Sequence, residues 1–212
     1  MAGSDHLRFA GAGEAAQRAA LKAIVRDSPV LMDILHGIQA LALPDALLGS
    51  GAIYNSVWNA LTGRPPLTGI KDADVVYFDD RDLSYEAEDA VIRRAAAQFA
   101  NSPIPVEVRN QARVHLWFPQ KFGVAYPQLG SSAEMLRYFA SRTHAVALRL
   151  EADDGMSIFA PFGLDDIFAF RITPNTTIDN AATHASKATR AKTVWPELTV
   201  VDWPERDGTR TP

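Results

Sequence analysis

The stretch Lys71-Asp72-Ala73-Asp74-Val75-Val76-Tyr77-Phe78 constrains the fold more than any other part of this chain. Its β-branched and aromatic content predicts a strand over 72–78. Side chains alternate along a strand, so Asp72 and Asp74 share one face while Val75 and Tyr77 take the other. Such a strand needs a dry layer on one side and water or a cation on the other. Two like charges at this spacing repel unless a cation lies between them. Mg²⁺, or Mn²⁺ in its place, suits an oxygen-only pair, because Mg²⁺ takes one or two carboxylates together with substrate phosphates and water. Taken in isolation, an Asp-x-Asp is more often a strand end with two solvated aspartates, and only its surroundings favour a metal pair.

The elements around this strand are legible in outline. Ala20, Leu21, Ile24, Val25, Leu31, Ile34, Leu35 and Ile38 recur at helical spacing, and Pro29 behind Asp27-Ser28 divides the stretch 13–40 into two helices. Residues 45–48 read as a short buried strand ending at Gly49-Ser50-Gly51. Residues 52–61 read as a helix that buries Ile53, Val57, Trp58 and Leu61, and Gly63-Arg64-Pro65-Pro66 breaks it. A helix over 82–99 capped by Ser84 follows, then strands over 104–109 and 113–118, and a helix opening at Ser131 or Ser132 toward Phe139. Residues 144–150 fit either strand or helix. A short strand over 156–160, helices over 163–170 and 179–192, and a polar, disordered tail from Pro204 complete the reading. The segments expected are an N-terminal helical part over 1–43, a core over 44–175 and a C-terminal helix and tail over 176–212. The alternation of strands and helices makes the chain α/β.

Composition narrows the class of partner. A net charge of −4 over 212 residues argues against broad nucleic-acid binding, so any phosphate-binding surface must be local. The chain has no cysteine, which excludes disulfides, thiol nucleophiles and cysteine zinc sites and fits a reducing compartment. No apolar run reaches membrane-spanning length and the N-terminus lacks a signal-type apolar core, so a cytoplasmic location without membrane attachment is expected.

Three further groups of residues carry possible chemistry. Gly49-Ser50 lies between a strand and a helix, where backbone N–H groups and a glycine admit a phosphate. The helix and the return segment 62–71 are long enough to bring it beside Asp72. In Pro105-Val106-Glu107-Val108-Arg109 the strand phase puts Glu107 and Arg109 on one face, so Glu107 can add a third carboxylate, or can merely pair with a neighbouring cation. Arg109, Asn110, Arg113 and His115 cluster behind it. Arginine forks and an amide suit phosphate, ribose or base edges, while ion pairing with local acids is the plain alternative. His115 is the one histidine to consider for general-base work, with a satisfied structural histidine the more common reading. Asp165-Asp166 fits the first turn of a helix, and the four tryptophans read as core.

In this order, the Gly-Ser turn, Asp-x-Asp on a strand and a later carboxylate resemble the DNA polymerase β-type nucleotidyltransferase superfamily. The stretches LPDALLGSGAIYNSVWNALTG, IKDADVVYFD, VEVRNQARVHLWF and APFGLDDIFAFRITPN look similar to a bacterial nucleotidyltransferase-like family within it. The resemblance implies an α+β fold with a small mixed β-sheet flanked by helices. It implies transfer of a nucleoside monophosphate from a nucleoside triphosphate to an acceptor whose identity the sequence leaves open. Asp72, Asp74 and Glu107 are then the metal-holding catalytic carboxylates, with Mg²⁺ or Mn²⁺ as cofactor. Gly49 and Ser50 hold phosphates, and Arg109, Asn110 and Arg113 contact the nucleotide. It also leaves Asp165 as a possible contact at the cleft. A non-catalytic nucleotide-binding or regulatory protein on the same fold is the alternative.

Overall fold

The computed structural model describes residues 5–205. Two helices open it, α1 (Glu14–Arg26) and α2 (Pro29–Leu41). Pro29 occupies the first helical position, where no N–H is needed, and Ser28 Oγ accepts from Leu31 N at 3.4 Å. The chain then runs through β1 (Leu47–Gly49), α3 (Gly51–Thr62), β2 (Ala73–Tyr77), α4 (Tyr85–Gln98), β3 (Val106–Asn110) and α5 (Val114–Phe122). It continues through β4 (Ala147–Leu150), β5 (Met156–Phe159), α6 (Asp165–Phe168), β6 (Arg171–Ile172), α7 (Ala181–Val194) and β7 (Thr199–Val200).

Five strands form one mixed sheet in the order β3-β2-β1-β4-β5. β2 and β3 are parallel, joined through α4, and the other neighbours are antiparallel. The result is an α/β fold of a small mixed sheet flanked by helices. A separate parallel pair, β6 and β7, lies near the C-terminal end.

The strands bury two different layers. Leu48, Val75, Val108 and Leu148 point into the main core with Leu21, Leu31, Ile34, Leu35, Ile53, Val57 and Trp58 from the first three helices. On the opposite face Leu47, Val76 and Ala147 meet Leu129, Met135 and Leu136 in a smaller core. The main core also holds Ala188, Trp195 and Leu198, so it draws on residues on both sides of positions 43 and 175. Trp58 and Trp195 pack edge to face at 5.2 Å between centroids, and Trp195 Nε1 donates to Asn59 Oδ1 at 3.1 Å. No helix among the described residues is long and apolar enough to cross a membrane.

Three local expectations change. The stretch 113–118 is helix, not strand. Asn110 ends β3 and its side-chain oxygen accepts from Ala112 N at 3.1 Å, which turns the chain into a 3₁₀ turn, Gln111–Arg113, and then α5. The stretch after Ser132 is a 3₁₀ helix, Ala133–Tyr138, rather than an α-helix. Trp117 and Trp203 are only partly buried, unlike Trp58 and Trp195. Residues 144–150 resolve into a 3₁₀ turn, Arg142–His144, and strand β4. The polar tail expected from Pro204 falls mostly on 206–212, outside the described residues.

Candidate active site

Three strands meet in register at one row. Asp74 pairs with Glu107 across the parallel β2–β3 ladder and with Gly49 across the antiparallel β1–β2 ladder. Ladder partners project to the same face of a sheet, so Glu107 and Asp74 stand side by side, with Gly49 beside them. Val75 and Val108, the next pair, turn into the main core. Gly49 keeps the floor next to Asp74 open. A Cβ there would sit 3.4 Å from Met135 Cε and 3.5 Å from the Asp74 carbonyl oxygen.

Ser50 makes the turn from β1 into α3 with φ 49° and ψ −107°, a conformation that L-residues rarely adopt. Its amide is not available to a ligand, because it donates to Val146 O at 2.8 Å. Its carbonyl takes the amides of Ile53 and Tyr54 at 2.9 and 3.2 Å. The amides with no intrahelical acceptor in this first turn belong to Gly51 and Ala52. A phosphate cradle here is therefore one residue further along than the Gly49-Ser50 pair suggests.

Crowding sets the electrostatics. Asp74 is reached by solvent, yet protein packed around it pushes its carboxyl above the usual range, helped by the charges of Asp72 and then Glu107. Lys187 and Arg109 pull the other way. The three carboxylates thus feel one another. As the side chains stand, no three acidic or histidine groups among the described residues close around a single ion point. Glu107 is drawn to Arg109, at 3.4 Å. Asp72 and Asp74 fit a hard cation as a neighbouring oxygen pair of the kind Mg²⁺ accepts, with Glu107 available once it leaves Arg109.

Four residues that sequence reasoning did not select, Tyr54, His144, Lys187 and Arg190, gather beside this row. Tyr54, in the second turn of α3, is buried, and burial raises its phenol well above the ordinary range. Its hydroxyl feels Arg190, Asp74, Ser50 and Asp72. His144 stacks on the Tyr54 ring at 4.7 Å, is 2% exposed and leaves Nδ1 without a partner. Burial, and then Lys187, His184 and Arg190, hold His144 well below its normal range, so it is neutral. Lys187 is also pushed down, first by the loss of water and then by Arg190, against the pull of Asp74 and Asp72. The available signal was an absence: from Asn180 to Pro196 the sequence contains no acid, while it contains Lys187, Arg190 and Lys192.

A family model described as nucleotidyltransferase matches residues 36–200, most of the chain. The chain belongs to that nucleotidyltransferase family. Family membership implies a nucleotide substrate. A solved NMR structure described as revealing a CCA-adding enzyme head domain is similar, with a TM-score of 0.70 and 26% identity. The match covers 88% of this chain and 96% of that one. No curated protein matches it significantly.

Not every residue nominated from sequence reaches this carboxylate row. Gly49, Asp74, Glu107 and Arg109 share one sheet face, and Asp72, the residue just before β2, lies near enough for its charge to act on Asp74. Asn110 and Arg113 do not. Asn110 is buried, accepts from Asp79 N at 3.1 Å and donates to Asp79 O at 2.7 Å. Arg113 is ion-paired to Glu88 and donates to Leu83 O at 2.9 Å. Both are committed to joining α4, β3 and the loop after β2, so they are structural. His115 stands on α5, partly buried, with Nδ1 unpartnered. Asp165 does not contact the cleft either. It receives Gly11 N at 2.8 Å and Gln17 Nε2 at 2.9 Å, which ties the N-terminal segment to α6.

Proposed function

We propose that this nucleotidyltransferase moves a nucleoside monophosphate from a nucleoside triphosphate to an acceptor hydroxyl, using a divalent metal held at Asp72 and Asp74. The acceptor oxygen forms a bond to the α-phosphorus as the bond to the β-phosphate oxygen breaks. The electron pair leaves with pyrophosphate, and the acceptor proton passes to water. The supporting observation is the register row Glu107–Asp74–Gly49. It sets two carboxylates together beside a residue with no side chain.

When bound, Mg²⁺ or Mn²⁺ neutralises charge on the phosphates and polarises the reacting oxygens. Asp72 and Asp74 hold it. Glu107 would be the third carboxylate to hold it, released from its contact with Arg109, whose guanidinium would then be free to bind a phosphate oxygen. Gly49 leaves space for close approach. The Gly51 and Ala52 amides at the start of α3 orient a phosphate by hydrogen bonds and the helix dipole. Rate acceleration comes from positioning and charge neutralisation, because phosphoryl-type transfer needs little else from the protein. The same proposal places the protein in the cytoplasm, where triphosphates are abundant and a cysteine-free chain is at no disadvantage.

The test is release of pyrophosphate from each of the four ribonucleoside triphosphates with Mg²⁺ and a panel of small, protein and RNA acceptors. Metal plus triphosphate is also expected to raise the melting temperature above metal alone, since a ligand that binds only the native state stabilises it. Neither release nor a thermal shift at millimolar metal and nucleotide would end this reading. A shift without release would mark a binding protein.

A further inference from the structure

The helix α7 faces two different surroundings. Lys187 and Arg190 leave it toward the carboxylate row, where they feel Asp74 or the Tyr54 hydroxyl. At about 100° per residue, His184, Ala188 and Lys192 leave it on another side. There a cavity of about 520 Å³ opens between α7, β7 and the segment that follows β7. Its size is within the roughly 300–1,000 Å³ of sites that enclose small molecules. Nothing in nucleotidyl transfer at the carboxylate row calls for it.

His184 makes the floor of this cavity and fixes its wall. It is buried, as is Ala188 one turn further on. Its Nε2 donates to Val201 O at 3.0 Å, and its Nδ1 shares a 2.8 Å hydrogen bond with the buried Ser141 Oγ. The chain leaving β7 is thereby tied to α7. Trp203 follows, half-buried, with its ring 5.8 Å from that of His184. An indole wall thus stands beside a floor of small side chains, Ala185 and Ala188.

Two charges of opposite sign line the same cavity. Lys192 and Asp202 are both exposed, and neither forms an ion pair among the described residues, with the other or with any further group. Lys192 Nζ donates to Leu198 O at 2.6 Å, which holds the ammonium in place and leaves it further N–H donors.

This pairing selects the ligand. An anion gains from Lys192 and is repelled by Asp202, and a cation meets the reverse. Polyphosphates are disfavoured here for that reason. A zwitterion satisfies both ends at once. The space between the indole and the alanines suits a flat ring, which stacks on Trp203. Ammonium, carboxylate and ring on one small frame describe a free aromatic amino acid.

We propose that this cavity binds a free aromatic α-amino acid, with its carboxylate on Lys192, its ammonium on Asp202 and its ring against Trp203. The site is separate from the carboxylate row, and it stands or falls independently of the transfer reading.

The experiment is calorimetric titration of the full chain with four probes at up to millimolar concentration. They are L-phenylalanine, phenethylamine, which lacks the carboxylate, 3-phenylpropionate, which lacks the ammonium, and adenosine. Wild type should bind L-phenylalanine, and each analogue that lacks one charge about tenfold more weakly, the scale of one charged hydrogen bond. D202N should lose about tenfold for L-phenylalanine and hold 3-phenylpropionate at least as tightly as wild type does. K192Q should show the mirror pattern, with phenethylamine retained. Asp202 is exposed and in no ion pair, so D202N keeps the fold, and its melting temperature verifies this. It carries the test alone if K192Q, which also loses the bond to Leu198 O, melts early. A wild type that does not bind L-phenylalanine, or that binds the three phenyl compounds equally, overturns the assignment. So does a D202N variant with unchanged affinity for L-phenylalanine, or with an equal loss for 3-phenylpropionate. Adenosine binding more tightly than L-phenylalanine also overturns it and makes this a nucleoside pocket.

Discussion

The two faces of the central sheet are built by alternate residues of the same strands, yet they are opposites. Leu48, Val75 and Val108 lie in a dry layer beneath three helices. Gly49, Asp74 and Glu107, one residue away in each strand, stand on a face that residues 129–139 cover only in part. The first face gains stability by removing apolar area from water. The second gives some of it up, because it keeps like charges close together where folding alone prefers them apart. Activity and stability can therefore be altered separately here, one residue apart.

The largest effect expected is on the dry face. Trp58→Ala should cost about 3–5 kcal/mol in urea unfolding, because Trp58 is 0% exposed and its indole also donates to Ile167 O at 2.9 Å. A cost below about 1 kcal/mol would break the assignment of this face as the main source of stability. On the charged face, Asp74→Asn should lower transfer by at least about 100-fold, the scale of one preorganised charge-stabilising group. Its melting temperature without metal should be equal or higher, since Asp72 and Glu107 lose a repelling neighbour. A variant that keeps full activity and its metal-dependent thermal gain would remove Asp74 from the site.

Glu107→Gln sharpens the contrast further. It should reduce transfer by about tenfold, less than Asp74→Asn, because Glu107 begins in contact with Arg109 and joins late. An equal loss in the two variants would make Glu107 a full partner from the start. The smallest effect lies at the start of α6, on neither face of the sheet. Asp165→Ala should cost about 1 kcal/mol through its lost hydrogen bonds. The Gly11 amide, with Gln17 and Arg171, holds the Asp165 carboxyl below its usual range. A depressed carboxyl stabilises the fold fully above its unfolded value of about 3.9 and loses that contribution as pH falls through the lower folded value. The melting difference between wild type and Asp165→Ala should thus hold steady at neutral pH and close in acid below about pH 4. A difference that grows in acid would contradict the hydrogen-bonding account.

Periodicity made much of this legible. The Asp72–Asp74 phase, the Pro29 break, the Ser84 cap and the strand–turn–helix at Gly49 are local, and local rules determine them. Whether Glu107 lies beside Asp74 is not local. It depends on the register that α4 imposes when it carries the chain from β2 to β3, which no pattern within either strand encodes. The stretch 113–118 suits both periods, because so short a run, apolar except for Arg113 and His115, does not separate strand from helix. Two neighbours decide it: Asn110, which caps the 3₁₀ turn leading into α5, and Pro119, which has no place in a central strand. Arg113 looked like a ligand for phosphate because its carboxylate partner, Glu88, is 25 residues away on another element. Lys187 and Arg190 went unselected for the converse reason, since their surroundings are distant in sequence and only the missing acids around them hint at a task.

The turn at Ser50 carries a consequence for anyone altering this protein. A glycine would adopt its φ of 49° without steric cost, relieving strain of order 1–2 kcal/mol. Screening for thermal robustness would therefore favour Ser50→Gly. That choice removes the hydroxyl beside Tyr54. A population selected by heat alone would drift toward a sturdier molecule whose turn no longer carries that hydroxyl.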